Sequence, residues 1–267
     1  MWTAWEFDPT VVAGIAALGL IYALCGGAWR ARFPDSRPLT RAQLKSFGAG
    51  LIVFWLFLQS PIDRVGDDFL FSLHMLQHMV IILVVPVLIL RGIPSWMVQP
   101  LMGGRAAPLV RLGCRPLVAF TLFNMIFAVA HIPVFFDPVN SDETLHAIEH
   151  LVFLSTAVIM WIPILSPLLE LRIGSYPMQI GYLFLQTLPM SIVAAFITLS
   201  SDPWYQRYSL APRITALSTL QDQQIGGLLM WIGGSLYFFG AMAVLFFLWA
   251  QQEEQTATGA APSHSSA

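Results

Sequence analysis

The chain has 267 residues, is 57% hydrophobic and only 10% charged, and carries a net charge of −2 with a mean hydropathy of +0.69. A soluble domain carries about 25% charged residues, so this composition excludes a water-covered globule. The balance of charge also excludes the basic field of a nucleic-acid binder. Two cysteines, Cys25 and Cys114, stand far apart, which supports neither a disulfide framework nor a thiolate metal motif.

Seven apolar segments follow in chain order, at roughly 10–29, 46–60, 69–90, 115–135, 145–165, 176–200 and 222–250. Runs of about twenty apolar residues match the thickness of a bilayer core. The expected fold class is therefore all-α, a polytopic bundle of seven transmembrane helices forming one domain over 1–250. The N-terminal segment lacks the basic region of a cleavable signal peptide. The small and polar stretch 251–267 is expected to be a disordered tail.

The basic residues set the expected orientation. Arg30, Arg32, Arg37, Arg41, Lys45, Arg91, Arg105, Arg111, Arg115 and Arg172 fall on one side of the seven segments. Arg64, Arg207 and Arg213 fall on the other, together with most of the acids. The first side is expected to be cytoplasmic, which puts the N-terminus outside and the C-terminus inside.

Five histidines lie in or near the membrane: His74, His78, His131, His146 and His150. Ionisable groups there are costly, and so point to function. His74 and His78 are four residues apart, as are His146 and His150. Four residues advance a helix by ~6 Å and a little over one turn, so each pair shares one face. With the topology above, all five histidines fall in one outer layer.

Imidazole suits copper, zinc, iron and nickel, and thioethers favour cuprous ion. Met75, Met79 and Met230 lie at similar depth and are either further ligands or packing. Glu149 either orients a ligating histidine or makes a plain hydrogen bond. Asp222 either supports the site or caps a helix. Gln77 lies between the first two histidines. Each histidine taken alone is equally read as an interhelical hydrogen bond. No Walker loop, GxSxG, HExxH or dinucleotide fingerprint is present.

Four stretches carry a family resemblance: SPIDRVGDDFLFSLHMLQHMVI at 60–81, AHIPVFFDP at 130–138, LHAIEHLVFL at 145–154 and DQQIGGLLMWIGG at 222–234. With these the chain resembles the CtaG family of integral-membrane cytochrome c oxidase assembly factors, over nearly its whole length. The resemblance implies a non-enzymatic, multi-pass protein of the bacterial plasma membrane. Its partners would be cytochrome c oxidase subunits and membrane lipid, with no nucleic acid.

The expected cargo is copper, held by some of the five histidines and passed to an oxidase subunit. Neutral imidazoles bind the ion, so uptake is expected to weaken below their ordinary pKa of ~6.5. The competing expectation is a b-type cytochrome, with haem between two axial histidines. A hydrolase using Glu149 as base ranks last, because its second ligand frame is missing.

Overall fold

A single proline shapes the centre of the molecule. Pro86 has no N–H and cannot bond the carbonyl four residues before it, that of Ile82. In the computed structural model, the Trp161 indole N–H donates to that carbonyl at 3.1 Å. Just upstream, Val80–Val84 widens into a π-helical turn. The Leu83 carbonyl takes the Tyr237 hydroxyl at 2.8 Å. Neighbouring helices thus satisfy the groups that a proline and a π turn release, as they must in lipid.

The structure describes Trp5 and residues 8–258; Met1–Ala4, Glu6, Phe7 and residues 259–267 lie outside the described residues, His264 among them. Helix α1 is Pro9–Gly26, capped by Asp8, whose carboxylate accepts from the Thr10 amide at 2.7 Å. Helix α2 is Arg41–Gln59 and opens on a reciprocal capping box of Thr40 and Gln43. Ser60 caps the short α3, Pro61–Asp68. The continuous span Phe71–Gly92 is α4.

Helices α5, Ala107–Gly113, and α6, Pro116–Ala130, meet at a bend of 69°. Then come α7, Pro133–Ser141, α8, Glu143–Leu165, and α9, Tyr176–Leu199. The short α10, Gln206–Leu210, precedes α11, Thr219–Ala257.

Six of these helices are long and apolar enough to cross a membrane: α1, α2, α4, α8, α9 and α11. The seventh expected span, 115–135, is shorter than its apolar run. Fifteen residues of α6 rise only ~22 Å, less than a ~30 Å hydrocarbon core. Pro116 begins it, and Pro133 starts a new helix after a turn at His131 and Ile132. The count becomes seven only if α5 and α6 together form one bent span.

The last helix departs from expectation in the other direction. It runs on to Ala257, so residues 251–257 are helical where a tail was expected to have begun.

Helix α4 is the most buried span and α1 the least. Small residues let the helices approach α4 and α9 closely. A Cβ on Gly92 would stand 2.5 Å from that of Phe47 on α2. Gly227 sits against Thr198, and Gly234 against Met190 and Met79. Such contacts hold helices together where lipid removes the hydrophobic drive. The outward faces carry exposed Leu20, Ile52, Phe196 and Phe247, as a lipid-facing surface requires.

Candidate metal centre

The site begins with the turn between α3 and α4. The chain reverses at Phe69 and Leu70, whose amides both bond the Val65 carbonyl. Gly66 makes the return possible, because a Cβ there would lie 2.9 Å from the His74 amide nitrogen. This close approach aims Asp67 back at the helix that follows it. Its carboxylate meets His74 Nδ1 at 2.9 Å. The start of α4 is held from α11, where the Asp222 carboxylate accepts the Phe71 and Ser72 amides at 2.7 and 3.3 Å and the Ser72 hydroxyl.

Helix α8 presents the second pair. Asp142 caps it, accepting the Thr144 and Leu145 amides at 2.9 Å, and His146 follows one turn later. His146 Nε2 lies 3.1 Å from the second oxygen of Asp67, and His146 Nδ1 lies 3.3 Å from Glu149. Both contacts are close, but neither is aligned as a hydrogen bond. Asp67, His74 and His146 thus offer one carboxylate oxygen and two imidazole nitrogens within 4.8 Å of one another. Burial works to raise the Asp67 pKa, but the two imidazoles prevail and hold the carboxyl well below the usual carboxylate range.

The two histidine pairs stand rung against rung. The His74 and His146 ring centroids are 5.3 Å apart, and those of His78 and His150 are 5.1 Å apart. Along each helix the rings are 4.3 Å apart. Helices α4 and α8 therefore run in the same direction here, and the four imidazoles form one cluster. Six of its nitrogens are buried with no hydrogen-bond partner in the protein: Nε2 of His74, both of His78, both of His146, and Nε2 of His150. Leaving a buried polar group unpaired costs about 1–3 kcal/mol, so such a concentration is what a ligand-binding site looks like.

His131 stands apart from this cluster. Its Nδ1 pairs with the Phe127 carbonyl at 2.6 Å, and its ring packs on Phe127 at 4.4 Å. Phe153 contacts both His131 and His78, at 6.4 and 5.0 Å. No ring contact joins His131 to another histidine among the described residues.

The other sequence candidates fall into distinct places. Glu149 touches His146. Asp222 caps α4 and reaches His74 only through that helix. The Gln77 amide donates to the Phe57 carbonyl at 2.9 Å and to Asp63. Met75 packs against Gly226 and Met79 against Gly234, both on the seam with α11. Met230 is buried in the same core. Cys25 and Cys114 are free and buried.

Asp67 is the residue that sequence reasoning missed as a site member. Its only signal is an acidic pair, Asp67 and Asp68, lying one residue after Gly66 and just before an apolar span.

The segment between α9 and α11 covers the cluster. Asp137 accepts the Gln206 and Arg207 amides at 3.1 and 3.3 Å. Arg207 donates to the Asp67 carbonyl at 2.8 Å and to the Asp68 carboxylate at 3.1 Å. Tyr205 donates to the His131 carbonyl at 3.0 Å. The Tyr208 ring lies 6.4 Å from that of His74, and its buried hydroxyl has no partner. Burial pushes the Tyr208 phenol up.

The chain is 25% identical, over 96% of its own length, to uncharacterized proteins of Mycobacterium bovis and Mycobacterium tuberculosis. It spans 41% of the length of those relatives. No solved structure matches it significantly. The family model for the cytochrome c oxidase caa3 assembly factor matches residues 20–252, and the chain belongs to that family.

Proposed function

We propose that this protein holds copper in its histidine cluster during assembly of a haem–copper oxidase and hands the ion to an oxidase subunit docked beside it. The reading rests on one observation above all: four adjacent imidazoles next to the Asp67 carboxylate, in which Nε2 of His74, both nitrogens of His78 and Nε2 of His150 are buried without a partner. Nitrogen and carboxylate donors suit copper and zinc alike. Family membership makes copper the cargo of choice, because the oxidase needs it. The protein acts as a carrier and not as an enzyme.

Ten of thirteen basic residues lie at the ends of the spans away from the cluster. By the positive-inside rule that end is cytoplasmic. The N-terminus is then outside, the C-terminus inside, and the cluster opens toward the outer face of the plasma membrane. Delivery to an oxidase centre on that side needs only a short transfer.

The haem alternative is disfavoured by the packing of the rings. A haem needs its plane between two axial nitrogens, whereas the four imidazoles rest on one another at 4.3–5.3 Å.

The test is elemental analysis and a visible spectrum of the detergent-purified protein after copper loading, wild type beside His74→Ala/His78→Ala. Bound copper that the double variant loses, with no Soret band, is the expected result. A Soret band lost in the variant would transfer the reading to a cytochrome. Absence of both metal and haem would remove the carrier role and leave only family membership.

A further inference from the structure

Building on the copper-carrier reading, we infer that the cluster holds two monovalent d¹⁰ ions, of the cuprous type, one on each histidine rung. The outer position comprises Asp67, His74 and His146. The inner position is His78 with His150, one helical turn deeper.

The inner rung is a site in its own right. His78 and His150 are 4% and 6% exposed, and three of their four ring nitrogens are buried with no partner. The ring of Phe153 stands 5.0 Å from His78 and makes an apolar wall beside it. No carboxylate meets either ring among the described residues. Two neutral imidazoles set edge to face, with ring centroids 5.1 Å apart, suit an ion content with two donors. Zinc in a protein is held by three or four side chains; this rung offers two, whereas the outer position offers three.

Charge sets the number and valence of the ions. Among the described residues, the Asp67 and Glu149 carboxylates touch the cluster, Asp67 at His74 and His146 and Glu149 at His146. Of the nearby arginine side chains, Arg64 and Arg207 both pair with Asp68, and Arg207 reaches Asp67 at its backbone carbonyl. A buried charge must be matched. Two carboxylates match two monovalent ions or one divalent ion, so the same cluster takes two of the first kind and one of the second. The paired rungs then form a two-step path, with each ion keeping its charge as it moves.

The experiment is an anaerobic titration of the full chain in detergent. Cuprous ion is supplied against a colorimetric cuprous chelator, and zinc is titrated separately. Two cuprous ions and one zinc ion per chain are expected. His78→Gln/His150→Gln should leave one cuprous ion, and so should Asp67→Asn/His146→Gln, with size-exclusion profile and helical circular dichroism unchanged. One cuprous ion in the wild type, lost in either variant, would overturn the two-rung arrangement while leaving the carrier reading intact. Two zinc ions in the wild type would overturn the charge matching. No bound copper at all would sink the carrier reading, and this inference with it.

Discussion

The Asp222 carboxylate accepts the Phe71 amide at 2.7 Å, so a residue of α11 caps the helix that carries His74 and His78. A sequence separation of 151 residues closes on one hydrogen bond. Asp222→Ala strands the Phe71 and Ser72 amides at a buried helix start. Bonds to a charged group are worth about 1.5–3 kcal/mol each. With at least two such bonds lost, a loss of about 3 kcal/mol or more is expected in thermal or denaturant unfolding in detergent. Asp222→Asn, which keeps one acceptor oxygen, should lose less than half of that.

The Gly226 position carries a second prediction. A Cβ there would lie 2.5 Å from a ring carbon of Phe71 and 3.2 Å from Met75. Phe71 cannot easily yield, because it stacks on Tyr205 at 4.6 Å and contacts Phe136 at 5.9 Å. Gly226→Ala is therefore expected to destabilise by about 1–3 kcal/mol, the usual cost of overpacking. Gly233→Ala meets nothing within 4 Å and should be neutral. Equal behaviour of the two variants in a melting experiment would contradict the close seam.

Arg207 acts as a clasp more than as a source of stability. Asp68 is 43% exposed, and an exposed pair is worth only about 0.2–1 kcal/mol. Arg207→Ala should barely move the melting point. It frees α10 from the end of α3, however, so limited proteolysis within residues 200–218 should accelerate several-fold. Arg207→Lys should behave like the alanine variant, since lysine lacks the guanidinium fork that reaches two oxygens at once.

Tyr208 separates packing from hydrogen bonding. Its ring contacts Phe71 at 5.6 Å and Phe136 at 6.2 Å, while its hydroxyl has no acceptor. Tyr208→Phe keeps the ring and removes the unpaired group, so stability should hold or rise by about 1 kcal/mol. Tyr208→Ala should cost about 3–5 kcal/mol. A clear drop for the phenylalanine variant in a melt would mean that the hydroxyl has a partner after all.

Much of the architecture was legible because lipid forces long apolar runs. The expected 145–165 and 176–200 match α8 and α9 to within two residues at either end. Errors arise where polar residues enter a helix or prolines leave one. Arg41 and Lys45 belong to α2 because the Thr40 box starts it five residues before the apolar run. Pro133 starts a new helix inside the run expected to continue to 135.

At the site, spacing alone brought out the two histidine pairs, since i,i+4 residues share a face whatever surrounds them. Asp67 could not be seen that way. It reaches His74 through a chain reversal that depends on Gly66 packing against a backbone seven to eight residues ahead, and no periodicity encodes such a turn. Asp222 was recognised as either a cap or a supporting residue, and α4 is what it caps.

The proline in α4 has a consequence for the geometry of the rungs. The Ile82 and Leu83 carbonyls are tied to Trp161 of α8 and Tyr237 of α11. These two ties act as pins across three helices. If α4 slid along α8 by one turn, His74 would face His150, and both carbonyls would lose their donors inside lipid. The depth at which each histidine meets its opposite number is thus locked about one turn below the inner rung, by residues that never touch it.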